Sequence, residues 1–227
     1  MSGIMLVTGG GRGIGAATAL AAAERGYDVC ISYASDEAAA ARVVEAIRVA
    51  GRRGLAVQAD AGVEADVLRL FEAVDRELGP VTVLVNNAGG SVGHRRQVVE
   101  MDWASVSRVL AVNLTGTIIG CAEAIKRMST ARGGPGGAIV NVSSASARLG
   151  APNLWMDYAA AKGGVDSLTI GLATELADQG IRVNAVRPGL IDTELHAASG
   201  MPDRVARAGR HMPMKRAGTA AEVSDAI

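Results

Sequence analysis

Aromatic residues and cysteines are scarce in this chain of 227 residues, which holds one Phe, two Trp, three Tyr and two Cys. Cys30 and Cys121 are too few and too far apart for a disulfide framework or a zinc site, so we expect both to pack as apolar side chains. Acidic and basic residues are equal in number, 23 of each. A formal net charge of zero gives the chain as a whole no electrostatic footprint for nucleic acid.

Long apolar runs are also missing from the sequence. No stretch approaches the roughly 18 apolar residues of a membrane span, and the first apolar run breaks at Gly9, too early for a secretory signal. We therefore expect no membrane segment, no targeting segment and a cytoplasmic location. With 49% apolar and 20% charged residues, the chain is not a disordered polyelectrolyte. Its length predicts one domain, residues 1–227.

Strand-like and helix-like segments alternate along the chain, which predicts an α/β fold with a parallel sheet covered by helices on both faces. The predicted strands are Ile4 to Val7, Asp28 to Tyr33, Gly54 to Gln58, Val81 to Val85, Ala138 to Val142 and Ile181 to Val186. The predicted helices are Ile14 to Glu24, Ala38 to Val49, Val67 to Glu77, Ala104 to Met128 and Tyr158 to Ala177. The fourth helical stretch is expected to break near 113–116.

A glycine-rich turn follows the first strand, in the segment Thr8-Gly-Gly-Gly-Arg-Gly-Ile-Gly15. Glycines between a strand and a helix allow the backbone to approach a pyrophosphate, which the N-terminus of the helix attracts. The spacing is T-G-x-x-x-G-x-G rather than the usual G-x-G-x-x-G. An ordinary flexible loop is the alternative, but the order of strand, glycines and helix favours dinucleotide binding.

Tyr158 and Lys162 are four residues apart in a helical segment, so their side chains share one helix face. A phenol ionises near pH ~10 when unperturbed, and a nearby ammonium lowers its pKa by favouring the phenolate. The pair therefore predicts a general acid and base that protonates an alkoxide or deprotonates an alcohol. An ordinary surface tyrosine and lysine are the alternative.

These motifs together resemble the short-chain dehydrogenase/reductase family over essentially the whole chain. Besides the glycine turn and the Tyr158/Lys162 pair, the matching segments are Asn86-Asn87-Ala88-Gly89, Asn113 in Val-Asn-Leu-Thr-Gly, Asn141-Val-Ser-Ser144, and Arg187-Pro188-Gly189 followed by Thr193. The resemblance implies a Rossmann-type doubly wound sheet. It also implies a catalytic set of Asn113, Ser144, Tyr158 and Lys162.

The assignment of two members of this catalytic set has alternatives. Ser144 lies fourteen residues before Tyr158 rather than the family's thirteen, so Ser143 and Ser146 remain less favoured choices for the serine that orients the substrate oxygen. Asn113 resembles the residue that completes a proton relay to the lysine, but an asparagine at a helix break can equally serve the backbone.

The end of the second strand favours NADP(H) over NAD(H), which remains possible. An acidic residue there would bind the ribose 2′-hydroxyl of NAD, but the chain has Ser32-Tyr33-Ala34-Ser35, and Asp36 is expected to cap the next helix with Ser35. Arg12 would attract a 2′-phosphate, with Ser32 or Ser35 donating hydrogen bonds. Asp60 resembles the acid near the adenine, with helix capping as an equal alternative. The expected cofactor contacts are Gly9, Gly11, Arg12, Gly13, Ile14, Gly15, Ser32, Tyr33, Ser35, Asp60, Ala61, Asn87, Ala88, Gly89, Tyr158, Lys162, Pro188, Gly189, Ile191 and Thr193.

The substrate side of the site is expected to involve a variable lid over residues 190–215. Trp155 and Met156 either wall the pocket or simply pack. The histidines His94, His196 and His211 have no ligand spacing, although the first two could reach the mouth of the pocket. The family's final strand is not found before Ile227, so the sequence is either a fragment or a chain that lost this element.

The sequence thus predicts an NADP-dependent oxidoreductase acting on a carbonyl or secondary alcohol, similar to 3-oxoacyl reductases or sugar dehydrogenases. The alternative is a catalytically silent dinucleotide-binding scaffold or sensor on the same fold. The resemblance implies a homotetramer or homodimer formed through the helices near Ala104 to Met128 and Tyr158 to Ala177. The expected partner is a small-molecule substrate, and no metal is expected.

Overall fold

A parallel sheet lies at the centre of the computed structural model, which describes residues 3–91 and 97–227. Its six strands have the order β3-β2-β1-β4-β5-β6. In chain order they are β1 Ile4–Val7, β2 Asp28–Tyr33, β3 Gly54–Gln58, β4 Val83–Asn86, β5 Gly137–Val142 and β6 Ile181–Val186. The order reverses between β1 and β4, so the carboxyl ends of these two strands open a crevice where a ligand can bind. The predicted doubly wound parallel sheet is confirmed.

Helices cover both faces of this sheet. They are α1 Gly13–Glu24, α2 Glu37–Val49, α3 Glu64–Glu77, α4 Trp103–Leu110, α5 Gly116–Met128, α6 Ser146–Leu149, α7 Met156–Glu175, α8 Leu195–Ala198, α9 Arg204–Gly209 and α10 Ala220–Ser224. Two further strands, β7 Ile191–Asp192 and β8 Gly218–Thr219, form a separate parallel pair. This pair brings the start of the segment predicted as a lid, residues 190–215, next to the residues that follow its end.

Alternating side chains of the strands fill two apolar layers. On one face, Leu6 of β1 packs with Phe71 of α3 and Met128 of α5. On the other face, Val7 packs with Ala19 of α1 and with α2. Because a central strand of a parallel sheet is buried on both faces, its sequence is a continuous apolar run rather than an alternating one.

The predicted break near 113–116 is a π-helical turn, Ala111–Thr115, which joins α4 to α5 without leaving the helical path. Gly116 follows the turn, and a Cβ atom there would overlap the carbonyl oxygen of Ala61. The absence of a side chain at Gly116 lets this helix approach the loop after β3. A wide helical turn next to a cleft is often a functional feature.

The stretch Trp103–Met128 is long and apolar enough, by length and composition, to cross a membrane. No other helix within residues 3–91 and 97–227 meets that test. Cys121, Ala124 and Met128 of this stretch are packed in the core against the sheet. The apolar side chains of this stretch therefore form part of the core of the domain.

Candidate active site

Tyr158 and Lys162 lie one turn apart near the start of α7, as their spacing predicts. The Nζ atom of Lys162 is 5.6 Å from the centroid of the Tyr158 ring. Tyr158 is half-buried, whereas Lys162 is 3% exposed. The two side chains therefore meet at one place, with the ammonium on the protein side and the phenol nearer the surface.

Lys162 is held by the sheet rather than by an acidic partner. Its Nζ donates a hydrogen bond of 2.7 Å to the carbonyl oxygen of Val142, at the end of β5. Burial lowers the pKa of Lys162 to about 8, while the negative charge of Asp166 acts in the opposite direction. Asp166 accepts a 2.8 Å hydrogen bond from Nε of Arg187, at the end of β6.

Tyr158 differs from the expectation drawn from its spacing to Lys162. Burial raises the pKa of the Tyr158 phenol, and a hydrogen bond with Ser144 acts in the opposite direction without cancelling it. The ammonium lies over the ring of Tyr158. Desolvation of the phenol therefore dominates, and the pKa of Tyr158 lies above its usual value, whereas the spacing to Lys162 predicted a value below it.

The hydroxyl groups of Ser143 and Ser144 point to different partners. Ser143 is 2% exposed and donates to the carbonyl oxygen of Lys162 at 3.2 Å. Ser144 is half-buried and accepts from the backbone N–H of Ser146 at 3.1 Å. As a hydrogen-bond partner it acts to lower the pKa of the Tyr158 phenol. Ser144 thus lies beside the phenol, whereas Ser143 fixes α7 to β5.

Asn113 occupies the π-helical turn and is fully buried. Its amide accepts from the N–H of Gly90 at 3.0 Å and donates to the Gly90 carbonyl at 2.8 Å. It also donates to the carbonyl of Val109 at 2.9 Å. A Cβ atom on Gly89 would lie 2.6 Å from Asn113 Oδ1 and 3.1 Å from Lys162 Nζ. Asn113 therefore serves the backbone and also adjoins the ammonium.

A buried polar chain lies behind the site. Asn86 donates to Asn141 Oδ1 at 2.9 Å, and Asn141 donates to Thr169 of α7 at 2.9 Å. The Cys121 thiol of α5 contacts both asparagines, and burial raises its pKa to about 12. Both cysteines are buried, as predicted. This chain links the carboxyl ends of β4 and β5 to the helices that carry Asn113 and Tyr158.

The glycine turn is held tightly against β4. Asn87 donates to the carbonyl oxygens of Thr8 and Gly9 at 2.9 and 3.0 Å, and Thr8 Oγ1 accepts from the N–H groups of Asn87 and Ala88 at 3.0 Å each. Gly9 has a φ of +63°, and a Cβ atom on Gly15 would overlap the Gly9 carbonyl oxygen.

These close contacts leave no room for side chains where the glycine turn approaches α1. The helix begins at Gly13, so the turn places backbone at the helix N-terminus, where a pyrophosphate fits. Ile14 forms part of the first turn of α1, and its carbonyl oxygen accepts from Thr18. Gly11 has ordinary van der Waals clearance around a Cβ atom at its position.

The end of β2 contains no acid that is available for a ribose. Asp36 is the N-cap of α2 and accepts from the N–H of Ala39 at 2.9 Å, which confirms its predicted capping role. Ser32 is 2% exposed, and its hydroxyl accepts from the Gly9 N–H at 3.1 Å. It therefore positions the glycine turn, which the sequence did not predict. Ser35 and Arg12 are exposed, and Tyr33 is half-buried at the end of the strand.

Asp60 pairs with Arg108 of α4, whose Nη2 donates to Oδ2 at 2.6 Å, and it also accepts from the Gly62 N–H at 2.8 Å. Burial opposes ionisation of Asp60, but these hydrogen bonds and the charge of Arg108 hold its pKa below the usual value. The N-cap of α3 is Val63, so the helix-capping alternative for Asp60 is wrong. Together with Ala88, Ala61 lines a cleft beside the carboxyl ends of β1 and β4.

The loop after β6 returns to the site from the other side. The Ala145 N–H donates to the carbonyl of Pro188 at 2.9 Å, which ties this loop to the serine loop. Gly189 has open space at its Cβ position. Ile191 begins β7, and the side chain of Thr193 would lie 3.3 Å from a Cβ atom on Gly13. The start of the segment predicted as a lid therefore lies next to the glycine turn.

Trp155 is 5% exposed, and its ring meets the Tyr158 ring at a centroid distance of 6.4 Å and an angle of 75°. Met156 is 38% exposed, so of the two only Trp155 is packed against the phenol. His196 of α8 is 7% exposed and stacks on Trp155, whereas His211 is exposed. His94 lies outside the described residues.

Arg204 was not predicted as a site residue, but its guanidinium carbon lies 4.8 Å from the centroid of the Trp155 ring. Within residues 3–91 and 97–227, no group of three or more His, Cys, Asp or Glu side chains could hold a metal ion.

Comparison with known proteins agrees with this site. The family model of the short chain dehydrogenase matches residues 3–202. An uncharacterized oxidoreductase of Escherichia coli K12, YgfF, is 49% identical over 99% of this chain and 90% of its own length.

Two crystal structures have a similar fold. A short chain dehydrogenase from Burkholderia cenocepacia, solved in complex with NADP, gives a TM-score of 0.86 at 32% identity, covering 98% of this chain and 87% of its own. A blue fluorescent protein from a metagenomic library, solved with NADPH, gives 0.88 at 31% identity, covering 99% and 88%.

Proposed function

The chain belongs to the short chain dehydrogenase family, and we propose that it transfers a hydride between NADP(H) and a small carbonyl compound or secondary alcohol. It is an oxidoreductase, as that membership implies. One observation carries the proposed chemistry: Ser144 acts on the Tyr158 phenol as a hydrogen-bond partner that favours the phenolate, and the Lys162 ammonium lies over the Tyr158 ring.

Tyr158 is assigned to the movement of the proton. During reduction its hydroxyl donates a proton to the carbonyl oxygen, and during oxidation the phenolate takes the proton of the alcohol. Ser144, whose hydroxyl is beside the phenol, donates a hydrogen bond to the same substrate oxygen and orients it. NADP(H), when bound, supplies the hydride in reduction and receives it in oxidation.

Lys162 is assigned to stabilising the phenolate that remains after proton donation. Within the described residues its ammonium has one hydrogen-bond acceptor, the Val142 carbonyl, so two further N–H donors are available for a cofactor ribose hydroxyl. Asn113 adjoins the ammonium across Gly89, which supports its assignment to the proton relay that the family resemblance implies.

The cofactor assignment is supported by the end of β2 and by the solved relatives. Arg12 is exposed and, among the described residues, has no ion-pair partner, so its charge is available to a 2′-phosphate beside Ser35. Asp36 is engaged in capping α2 and cannot easily serve a ribose hydroxyl. NADP and NADPH are the cofactors present in the two similar crystal structures.

The remaining cofactor contacts are proposals drawn from the same geometry. The turn Gly9–Gly15 would hold the pyrophosphate, Ala61 and Ala88 would border the adenosine, and Asn87, Gly89 and the loop from Pro188 to Thr193 would border the nicotinamide. Asp60, held by Arg108, would lie near the adenine.

The catalytically silent scaffold is not favoured, because the serine, tyrosine and lysine needed for chemistry are brought together around one point. The resemblance to 3-oxoacyl reductases and sugar dehydrogenases makes 3-oxoacyl compounds and sugars the first substrates to test. We assign a single catalytic domain to residues 1–227, a lid to residues 190–215 and a cytoplasmic location to the protein. No membrane or nucleic-acid partner forms part of the proposal.

We also propose a homotetramer or homodimer formed through α4, α5 and α7. Exposed apolar side chains on these helices support it: Trp103 is 88% exposed, Ile118 is 41% exposed and Ile170 is 67% exposed. Near Ile170, Gly163 and Gly171 have no atoms within 4 Å of an added Cβ, so another helix could approach closely.

Consumption of NADPH and NADH against a panel of ketones, oxoacyl thioesters and sugars tests the function. Tyr158→Phe serves as the negative control. The proposal predicts Tyr158-dependent turnover that is faster with NADPH than with NADH. Tight NADPH binding with no turnover across the panel would instead favour the silent scaffold.

A further inference from the structure

Arg204, the first residue of α9, is a cation that has no counter-ion within residues 3–91 and 97–227. Among the described residues no carboxylate pairs with it, and its Nε is buried without a hydrogen-bond partner. Its guanidinium carbon lies 4.8 Å from the centroid of the Trp155 ring. Burial lowers the pKa of Arg204, and no negative group offsets that effect. A partly buried, unpaired guanidinium is unfavourable unless another molecule supplies the anion.

Each of two neighbouring side chains also buries one polar atom that is unpartnered. Trp155 is 5% exposed and His196 is 7% exposed, yet within the part of the chain that the structure describes Trp155 Nε1 and His196 Nδ1 have no hydrogen-bond partner. Their rings are stacked, with centroids 6.4 Å apart and planes 8° from parallel. Of the five buried unpartnered side-chain atoms in the described residues, three belong to this cluster of Trp155, His196 and Arg204. Native structures rarely leave such atoms unsatisfied, so their concentration indicates a ligand site.

The cluster adjoins the proposed catalytic site. The Trp155 ring meets the Tyr158 ring edge-on at 6.4 Å, and the same Trp155 ring carries Arg204 on its face. His196 and Arg204 belong to the segment 190–215 that covers this side of the molecule. A molecule whose oxygen lies at Tyr158 and whose chain extends along Trp155 would have its far end at Arg204.

The chemistry of the cluster favours a carboxylate. Trp155 Nε1 and Arg204 Nε are donors only, and a planar carboxylate matches the fork of a guanidinium. Burial and the charge of Arg204 lower the pKa of His196, while the Ile191 backbone and Asp192 act in the opposite direction. A bound anion favours the charged imidazole, which turns Nδ1 into a third donor. A neutral sugar or ester would leave the guanidinium without a counter-ion.

We propose that Arg204, together with Trp155 and His196, binds a carboxylate group of the substrate, which makes the substrate an oxo acid or a hydroxy acid. Because Trp155 contacts both Tyr158 and Arg204, the carboxylate is remote from the reacting carbon. This inference rests on the proposed hydride transfer for the position of the reacting carbon. It narrows the substrate class that the fold alone leaves open.

Trp155 itself provides a binding test that needs no turnover. The chain has two tryptophans, so Trp103→Phe leaves Trp155 as the sole tryptophan. In that background we expect saturable fluorescence changes with acetate, butyrate or cyclohexanecarboxylate and none with the corresponding amides. Arg204→Gln should weaken carboxylate binding at least about tenfold, and Arg204→Lys should have an intermediate effect. Arg207→Gln, an exposed arginine of the same helix, is the matched control and should change nothing.

Turnover gives the second arm of the test. With NADPH, a series of oxo acids of increasing chain length is compared with their methyl esters. We expect the acids to be preferred in kcat/KM by at least about tenfold in the native protein. Arg204→Gln should remove that preference through KM, with ester turnover and NADPH affinity unchanged. An altered NADPH affinity would show that Arg204 serves the cofactor phosphate and would overturn the proposal.

The two arms separate failure of the inference from failure of the proposed function. Arg204-dependent carboxylate binding without any NADPH turnover would support the anion site and contradict hydride transfer. Turnover of neutral ketones, with no carboxylate binding and no preference for acids, would support hydride transfer and overturn the anion site.

Discussion

Burial dominates the chemistry of individual residues in the site. Burial lowers the pKa of Lys162 to about 8 and raises the pKa of Tyr158. Both shifts favour the uncharged form of the side chain. The spacing of Tyr158 and Lys162 was enough to predict that they share a helix face. The direction of the tyrosine shift was not predictable, because it depends on which neighbours exclude water from the phenol.

The pKa of Lys162 predicts how turnover depends on pH. The ammonium is present below pH about 8 and is lost above it, so turnover should fall as the pH rises through that value. Asp166→Asn removes the negative charge that raises this pKa, and the fall in turnover should move to lower pH. The measurement is kcat against pH for both proteins, with Glu175→Gln, an exposed acid on the same helix, as control. A fall that stays in place or moves to higher pH would contradict the assignment.

Arg12 gives a residue-scale test of the cofactor. Arg12→Gln should weaken NADPH binding by roughly tenfold or more, since hydrogen bonds to charged groups contribute about 1.5–3 kcal/mol. NADH binding should hardly change. Titration of both cofactors measures this, and Arg25→Gln at the opposite end of α1 is the matched control. Equal losses for NADPH and NADH would count against recognition of the 2′-phosphate.

The elements near the site differ in how far their sequence predicts them. The six strands follow from apolar runs bounded by glycine and polar residues, and four of them begin and end where predicted. The π-helical turn at Asn113 and the use of Ser32 to hold Gly9 depend on contacts between segments distant in sequence. The contact between Trp155 and Arg204 has the same origin. Local pattern therefore predicted the position of the break near 113–116 but not its π-helical form, and it predicted neither of the other two contacts.

The glycine turn contains positions that cannot accept a side chain and positions that can. Gly15→Ala should lower the free energy of unfolding, measured by urea denaturation, by about 1–3 kcal/mol, because its Cβ would overlap the Gly9 carbonyl oxygen. The same substitution should also weaken NADPH binding. Gly11→Ala is the matched control, since a Cβ there is 3.6 Å from the nearest atom of α2 and folding stability should be retained. Equal stabilities of the two variants would refute the tight packing of this turn.

At the scale of the whole molecule, the exposed apolar face of α4, α5 and α7 makes a prediction about self-association. Ile170→Asp should shift the protein towards smaller species in sedimentation velocity, because it places a charge in the proposed contact. Val49→Asp, at an 81% exposed position at the end of α2, should leave sedimentation unchanged. A native protein that sediments as a monomer would contradict the proposed oligomer.

The central claim is that Tyr158 moves the proton in an NADP-dependent hydride transfer. Its most direct test compares the native protein, Tyr158→Phe and Tyr27→Phe for turnover of a substrate found in the panel and for NADPH affinity. Loss of the one hydroxyl at Tyr158 should lower kcat roughly 10²- to 10⁴-fold while NADPH still binds, and Tyr27→Phe should behave like the native protein. Undiminished turnover in Tyr158→Phe would contradict the account.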